Sequence, residues 1–183
     1  MLVGAWLSDG CGQLRIEKLR SSHQAAFQKF LGELGRSTTY DYTHFGYEVN
    51  PEQATSKVLR DVGTGRVSGY VVLHGTRIIG FGHLDYFSKK EKRHVARLGI
   101  VVHQKSQGKG LGKRLLDYMI ADAKDKGVEK IWLATYSDNP RALELYRSRG
   151  FVVEGIFRKE EKVGRRYRDV VSMALFTGVG RKT

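Results

Sequence analysis

The sequence predicts a mixed α/β fold in a single domain. Three observations carry that prediction. Helical periodicity opens the chain's organised part, a run of strand-like segments follows, and helices then alternate with strands to the end. A glycine-rich turn joins a continuously apolar strand to an amphipathic helix. The 183 residues are 40% hydrophobic with only two prolines, Pro51 and Pro140. That length suits one domain over residues 1–183 with its own core, and the composition excludes a collagen-like, proline-rich or broadly disordered chain.

Residues 1–11 show no period and read as a loose leader. Residues 13–19 alternate, with Leu14 and Ile16 against Arg15 and Glu17, and predict a first strand. A helix over 21–34 starts at Ser21 and Ser22 and carries Ala25, Ala26, Phe27, Phe30, Leu31 and Leu34 on one face. Residues 35–50 are aromatic without a period. Pro51 suits the first position of a second helix running to about Asp61.

From Val67 the pattern turns strand-like, with strands at 70–73 and 78–87 across a His74-Gly75-Thr76 turn, and at 94–102, whose apolar end Ile100-Val101-Val102 predicts burial. A third helix runs from the glycine turn to about Lys126, where Gly127 stops it. Residues 130–135 form a short strand, and Asn139-Pro140 opens a fourth helix that Gly150 closes. Residues 151–158 and 167–176 make a final antiparallel pair joined at Gly164. This gives seven strands and four helices.

Lys+Arg 32 against Asp+Glu 19 leaves a formal charge of +13, which attracts polyanions or serves solubility alone. The single cysteine, Cys11, cannot form a disulfide within the chain or a Cys-rich zinc site, so no metal is expected and a reducing cytoplasm is the simplest location. No apolar run approaches the ~18 residues of a membrane helix, and the apolar opening lacks the basic start of a signal peptide.

The strongest local signal is Gln107-Gly108-Lys109-Gly110-Leu111-Gly112-Lys113. Glycines permit a tight turn and close backbone approach, and the first amides of the following helix converge on an anion. Lys105, Lys109, Lys113 and Arg114 lie within residues 103–114, which contain no acid. A diphosphate fits. A Walker loop does not: Lys113 precedes Arg114, and the first glycine is misplaced. A dinucleotide fingerprint also fails, because its third glycine position is Lys113.

Gln107-x-x-Gly110-x-Gly112 resembles the acetyl-CoA-binding motif of the GNAT superfamily of N-acetyltransferases. The later block Asn139-Pro140-Arg141-Ala142-Leu143-Glu144-Leu145-Tyr146-Arg147-Ser148-Arg149-Gly150-Phe151 resembles the family's N-x-x-A-x-x-x-Y-x-x-x-G-F signature, in the expected order. The chain resembles the branch acting on ribosomal-protein alanine and small amines. The resemblance implies a central, mostly antiparallel twisted sheet of about seven strands flanked by about four helices. It implies acetyl-CoA as co-substrate, with Ile100, Val101 and Val102 pairing with the pantetheine arm. The pyrophosphate falls on Gly108, Lys109, Gly110, Leu111, Gly112 and Lys113. Asn139 matches a residue bonding the cofactor arm, or is simply an N-cap before Pro140. Tyr146 matches the general acid that protonates the leaving thiolate.

The general base departs from the family pattern. In the ribosomal-protein alanine acetyltransferases a Glu stands five residues before the motif Asn; here that position is Ala134. The remaining candidates are His83 and Asp85, though a His or Asp on a strand is more often an ordinary surface residue. A chain of waters is a further route for the proton. The acceptor is a primary amine, on a protein N-terminus or a small amino compound, and Tyr40, Tyr42, Phe45 and Tyr47 fall where the family places its variable acceptor loop. The alternative is a non-catalytic basic module that keeps the fold and binds RNA or another polyanion, motivated by the +13 charge and the six cations of residues 158–168. No membrane partner is expected. Edge strands leave room for a homodimer without demanding one.

Overall fold

A computed structural model describes residues 5–9, 12–34 and 50–179, with side chains described from residue 14 on. Cys11, and the aromatic run of residues 40–47, lie outside the described residues. The chain divides into two compact units that interleave in sequence, Met1–Asp85 with Gly99–Met119 and Tyr86–Leu98 with Ile120–Thr183.

In the first unit the strand order is β1-β2-β3-β4, with β1 at Ala5–Asp9, β2 at Gly12–Lys18, β3 at Val67–His74 and β4 at Arg77–Tyr86. Each neighbouring pair is antiparallel. β1 corrects the expectation of a loose leader: Ala5 pairs with Ile16 and Asp9 with Gly12. Its five residues are too few to set a readable period, so the partner strand rather than the local sequence defines it.

Helices α1 (Gln24–Leu34) and α2 (Pro51–Gly63) cover this sheet. α2 begins because the Asn50 carboxamide oxygen accepts from Glu52 N at 2.9 Å and Gln53 N at 3.3 Å, with Pro51 preset in the first turn. Phe27, Phe30 and Leu34 of α1 and Val58 of α2 meet Val71, Leu73, Phe81 and Val101 in one apolar cluster. The rings of Phe27 and Phe81 are 4.7 Å apart. Burying each such ring contributes roughly 1.5–3 kcal/mol. Ala25, predicted on the apolar face, is exposed instead.

On the other face of β4, a Cβ at Gly82 would overlap the Met119 sulfur. Met119 belongs to α3 (Leu111–Asp125), whose Leu111, Leu115, Leu116, Met119 and Ala123 are buried. The missing side chain at residue 82 thus makes room for the Met119 thioether against the strand.

In the second unit the strand order is β5-β6-β8-β7; β5 runs over Val95–Val102, its first half belonging to this unit and its end to the first, and β6, β8 and β7 are Lys130–Tyr136, Arg166–Phe176 and Val152–Val163. β5 and β6 run parallel, while β6–β8 and β7–β8 are antiparallel. Ile131, Leu133, Met173 and Ala174 are buried in this unit, and Tyr146 of α4 (Pro140–Arg147) lies 5.6 Å ring to ring from Phe151. Lys126 bonds both Asp122 and Tyr86. Burial opposes its charge, but these partners hold the ammonium pKa above its ordinary value.

All seven predicted strands are present, joined by β1 as an eighth, with the four predicted α-helices. β7 runs on past Arg158 to Val163, because the charged run is held in the hairpin by its partner strand. Among the described residues no helix is long and apolar enough to cross a membrane.

Candidate functional site

The site begins at an incomplete ladder. At its start, His94 O accepts from Glu129 N at 2.9 Å and Lys130 N at 3.1 Å. β5 and β6 are then in register over Val95–Arg97 and Lys130–Trp132, and the pairing stops. β5 itself continues to Val102. Just past its end, His103 N donates to Ile79 O of β4 at 2.9 Å.

Successive residues of a strand point their N–H and C=O to opposite edges. His94 faces one edge and His103 the other, so the even-numbered residues between them face the edge that β6 leaves. Ile100 and Val102 therefore offer their backbone to the open edge, while Val101 offers its own to β4 and buries its side chain in the cluster with Phe81. The Val102 carbonyl is already taken by Gln107 Nε2 at 3.0 Å. Ile100 keeps both a donor and an acceptor on that edge.

The turn that follows is tightly built. Ser106 N donates to His103 O at 2.7 Å and Gln107 N to Gln104 O at 3.2 Å. Gly108 and Gly110 have φ of +79° and +73°, a left-handed conformation that an L side chain resists by roughly 1–2 kcal/mol. The next amide with a backbone partner is Arg114 N, bonded to Gly110 O at 3.1 Å. Among the described residues the amides from Gly108 to Lys113 have no backbone carbonyl. They stand at the positive end of α3.

Lys105, Lys109, Lys113 and Arg114 are exposed around these amides, and none forms an ion pair among the described residues. Unbonded N–H groups, a helix N-terminus and unopposed cations together make a cradle for a diphosphate. The Gln107 side-chain amide of the motif fastens the turn to the end of β5 through the Val102 carbonyl.

Sequence reasoning missed His103. It is buried, with Nε2 3.6 Å from the Glu33 carboxylate of α1, which also accepts from Arg77 at 2.8 Å. The Arg77 hydrogen bond holds Glu33 below the ordinary carboxylate range, against the desolvation that would raise it. This bridge anchors the start of the turn to α1. A lone histidine after an apolar strand gives no local sign of such a partner.

His83 and Asp85 share one face of β4 with Phe81. His83 is only 1% exposed, which corrects the expectation of a surface residue, and its ring sits 5.6 Å from that of Phe81. Its Nε2 is 3.9 Å from Asp85 Oδ2, and the Asp85 side chain is 21% exposed. The pair has one member inside and one at the surface.

In the second unit, Asn139 caps α4: its Oδ1 accepts from Ala142 N at 3.2 Å, with Pro140 next in line. The structural reading of this residue holds, and its amide N–H₂ is not used by the cap. Tyr146 is buried on α4, and its carbonyl accepts from Phe151 N at 3.1 Å. Ala134 is exposed on β6 opposite Ser172. Among the described residues no three His, Cys, Asp or Glu side chains gather as a metal site would need.

A strand with a released edge leads into a glycine turn whose amides lack backbone partners among the described residues, with an amphipathic helix behind it: an arrangement open to an anionic ligand. Residues 25–151, running through both compact units, match the acetyltransferase (GNAT) family, and the chain belongs to that family. It is 37% identical over 89 residues to the L-amino acid N-acyltransferase MnaT of Escherichia coli, covering 49% of this chain and 46% of that protein. It is 34% identical over 76 residues to the ribosomal protein bS18-alanine N-acetyltransferase of Salmonella typhimurium, covering 42% and 51%. The matches thus span about half the length of these curated relatives. A phosphinothricin acetyltransferase from Sinorhizobium meliloti, solved with acetyl-CoA, superposes with a TM-score of 0.77 over 93% of this chain and 91% of that one, at 20% identity.

Proposed function

We propose that residues 1–183 form a single acetyl-CoA-dependent N-acetyltransferase domain acting by direct transfer to a primary amine. The observation that carries this reading is the open edge of β5 leading into the unbonded amides of Gly108–Lys113. The pantetheine arm, which has amides of its own, pairs with Ile100, and Val102 N–H adds a second donor. The pyrophosphate lies on the glycine turn, and Asn139, by its place in the second motif, is the residue assigned to bond the arm.

The acceptor nitrogen attacks the thioester carbonyl carbon while a backbone N–H of the open edge steadies the oxyanion. The C–S bond breaks, and Tyr146, by its place in the second motif, gives its proton to the thiolate. The proton of the incoming ammonium leaves by water or through Asp85, the exposed member of the His83–Asp85 pair. The acceptor is the amine of a protein N-terminus or a small amino compound. A reducing cytoplasm, where acetyl-CoA is available and the single Cys11 needs no partner, suits this reading.

Tyr146→Phe tests the acid role. Its kcat falls by about 10²-fold or more, while acetyl-CoA affinity stays within a few-fold. Unchanged turnover with a good acceptor removes that role. Asp85→Asn lowers kcat by about tenfold or more if Asp85 carries the proton, and leaves it within a few-fold if water does.

A further inference from the structure

The β7–β8 hairpin carries a surface that the acetyl-transfer reading does not use. Its two strands pair regularly at the tip, with Val163 opposite Arg166 and Lys162 opposite Tyr167. Counting back, a regular ladder would set Lys159 opposite Val170 and on the reverse face from Lys162. It does not. Phe157 stands opposite Val170, so β7 holds two extra residues between Phe157 and Glu161.

That bulge contains Lys159 at φ +53°, the one non-glycine residue with positive φ among the described residues. Asp169 holds it there, accepting from Lys159 N at 2.7 Å and from Arg158 at 3.0 Å. The consequence is a convergence of charge. Lys159 and Lys162 both bring their ammonium groups to 5.5 Å from the ring centre of Tyr167, which is 55% exposed.

Two like charges on one ring repel each other, and the strained backbone at Lys159 keeps them together. Arg165 in the turn and Arg166 beside it are exposed and, among the described residues, form no ion pair. Of the nearby acids, Asp169 is taken up by Arg158 and the bulge, and Glu161 accepts from the Tyr136 hydroxyl while keeping its charge. The tip therefore presents the four cations Lys159, Lys162, Arg165 and Arg166 against the carboxylates of Glu160 and Glu161, around an aromatic ring.

We propose that this tip binds single-stranded RNA, its phosphates on these cations and a base against Tyr167. Arginine forks match phosphate oxygens, and aromatic rings hold bases without regard to sequence. An acidic protein would answer the charge but not the ring, and the inference does not rest on the acetyltransferase reading.

The test is fluorescence anisotropy of a labelled 12-mer of oligouridylate over a range of KCl concentrations. Four phosphate contacts predict a slope of log K on log salt near −3, at about −0.7 per phosphate. Arg165→Glu/Arg166→Glu weakens binding at least tenfold, and Tyr167→Ala several-fold. Lys89→Glu/Lys90→Glu makes the same charge change on exposed lysines outside the hairpin and leaves affinity within threefold. Asp169→Ala decides between a built site and diffuse charge. It makes the hairpin more positive yet removes both acceptors that hold the bulge, so the proposal predicts weaker binding. Tighter or equal binding by Asp169→Ala overturns the proposal, as does an equal loss in the Lys89/Lys90 control. Absence of RNA binding, or binding to phosphatidylglycerol vesicles alone, overturns it too.

Discussion

The molecule contains two antiparallel hairpins of similar design and opposite fate. β3–β4 and β7–β8 each turn through two residues, the first a glycine at φ +61°. Yet Val71, Val72, Leu73, Ile78, Ile79 and Phe81 are buried, whereas Val152, Val153, Ile156 and Phe157 are 44–52% exposed. The turn chemistry fixes that a hairpin forms; what covers it decides what the hairpin is for. β3–β4 is covered by α1 and α2 on one face and by α3 on the other, and becomes the frame behind the glycine turn. β7 ends its sheet, and its charged outer half becomes a surface.

The largest break in this comparison comes from Phe81→Ala. Removing a ring from the buried cluster costs about 3–5 kcal/mol, against less than about 1 kcal/mol for Phe157→Ala, as measured by urea unfolding. Gly82→Ala is next, at roughly 1–3 kcal/mol, because the new methyl meets Met119. Gly155→Ala in β7 has open space around it and stays within about 0.5 kcal/mol. Equal costs in the two hairpins would contradict the packing described.

The smallest effect is a pH effect. The Lys159 N–H bond, and then the Arg158 pair, hold the Asp169 carboxyl below its ordinary pKa of 3.8. A carboxylate with a depressed native value contributes above the unfolded value and loses that contribution as pH falls through the native one. The Lys159 amide resonance accordingly titrates with its midpoint below pH 3.8. A midpoint at or above that value contradicts the clamp.

Much of the fold could be read from residue patterns. The cap at Asn50-Pro51, the alternation of β2 and the amphipathic face of α3 are local signals, and the structure follows them. β1 was hidden because its partner, not its sequence, makes it a strand. The extension of β7 was hidden because a charged run looks the same in a solvated loop and on a sheet edge.

At the site, the glycine turn was legible because positive φ and amide exposure leave a trace in composition. The open edge of β5 was not legible, since it depends on where a parallel partner stops pairing. His83 looked like a surface residue because alternation alone does not say which face a helix covers. His103 was invisible for the same reason: Glu33 and Arg77 come to it from distant parts of the chain.

The central claim is that the glycine turn holds acetyl-CoA, and calorimetric titration of the wild type and of Gly110→Glu tests it most directly. No atom lies within 4 Å of a Cβ at residue 110, so the new side chain leaves the core untouched while it strains the turn and sets a carboxylate among the amides. Micromolar binding by the wild type and loss of at least tenfold in the variant, with an unchanged circular dichroism spectrum, is the predicted result. Failure of the wild type to bind acetyl-CoA, or equal binding by both proteins, would contradict the claim.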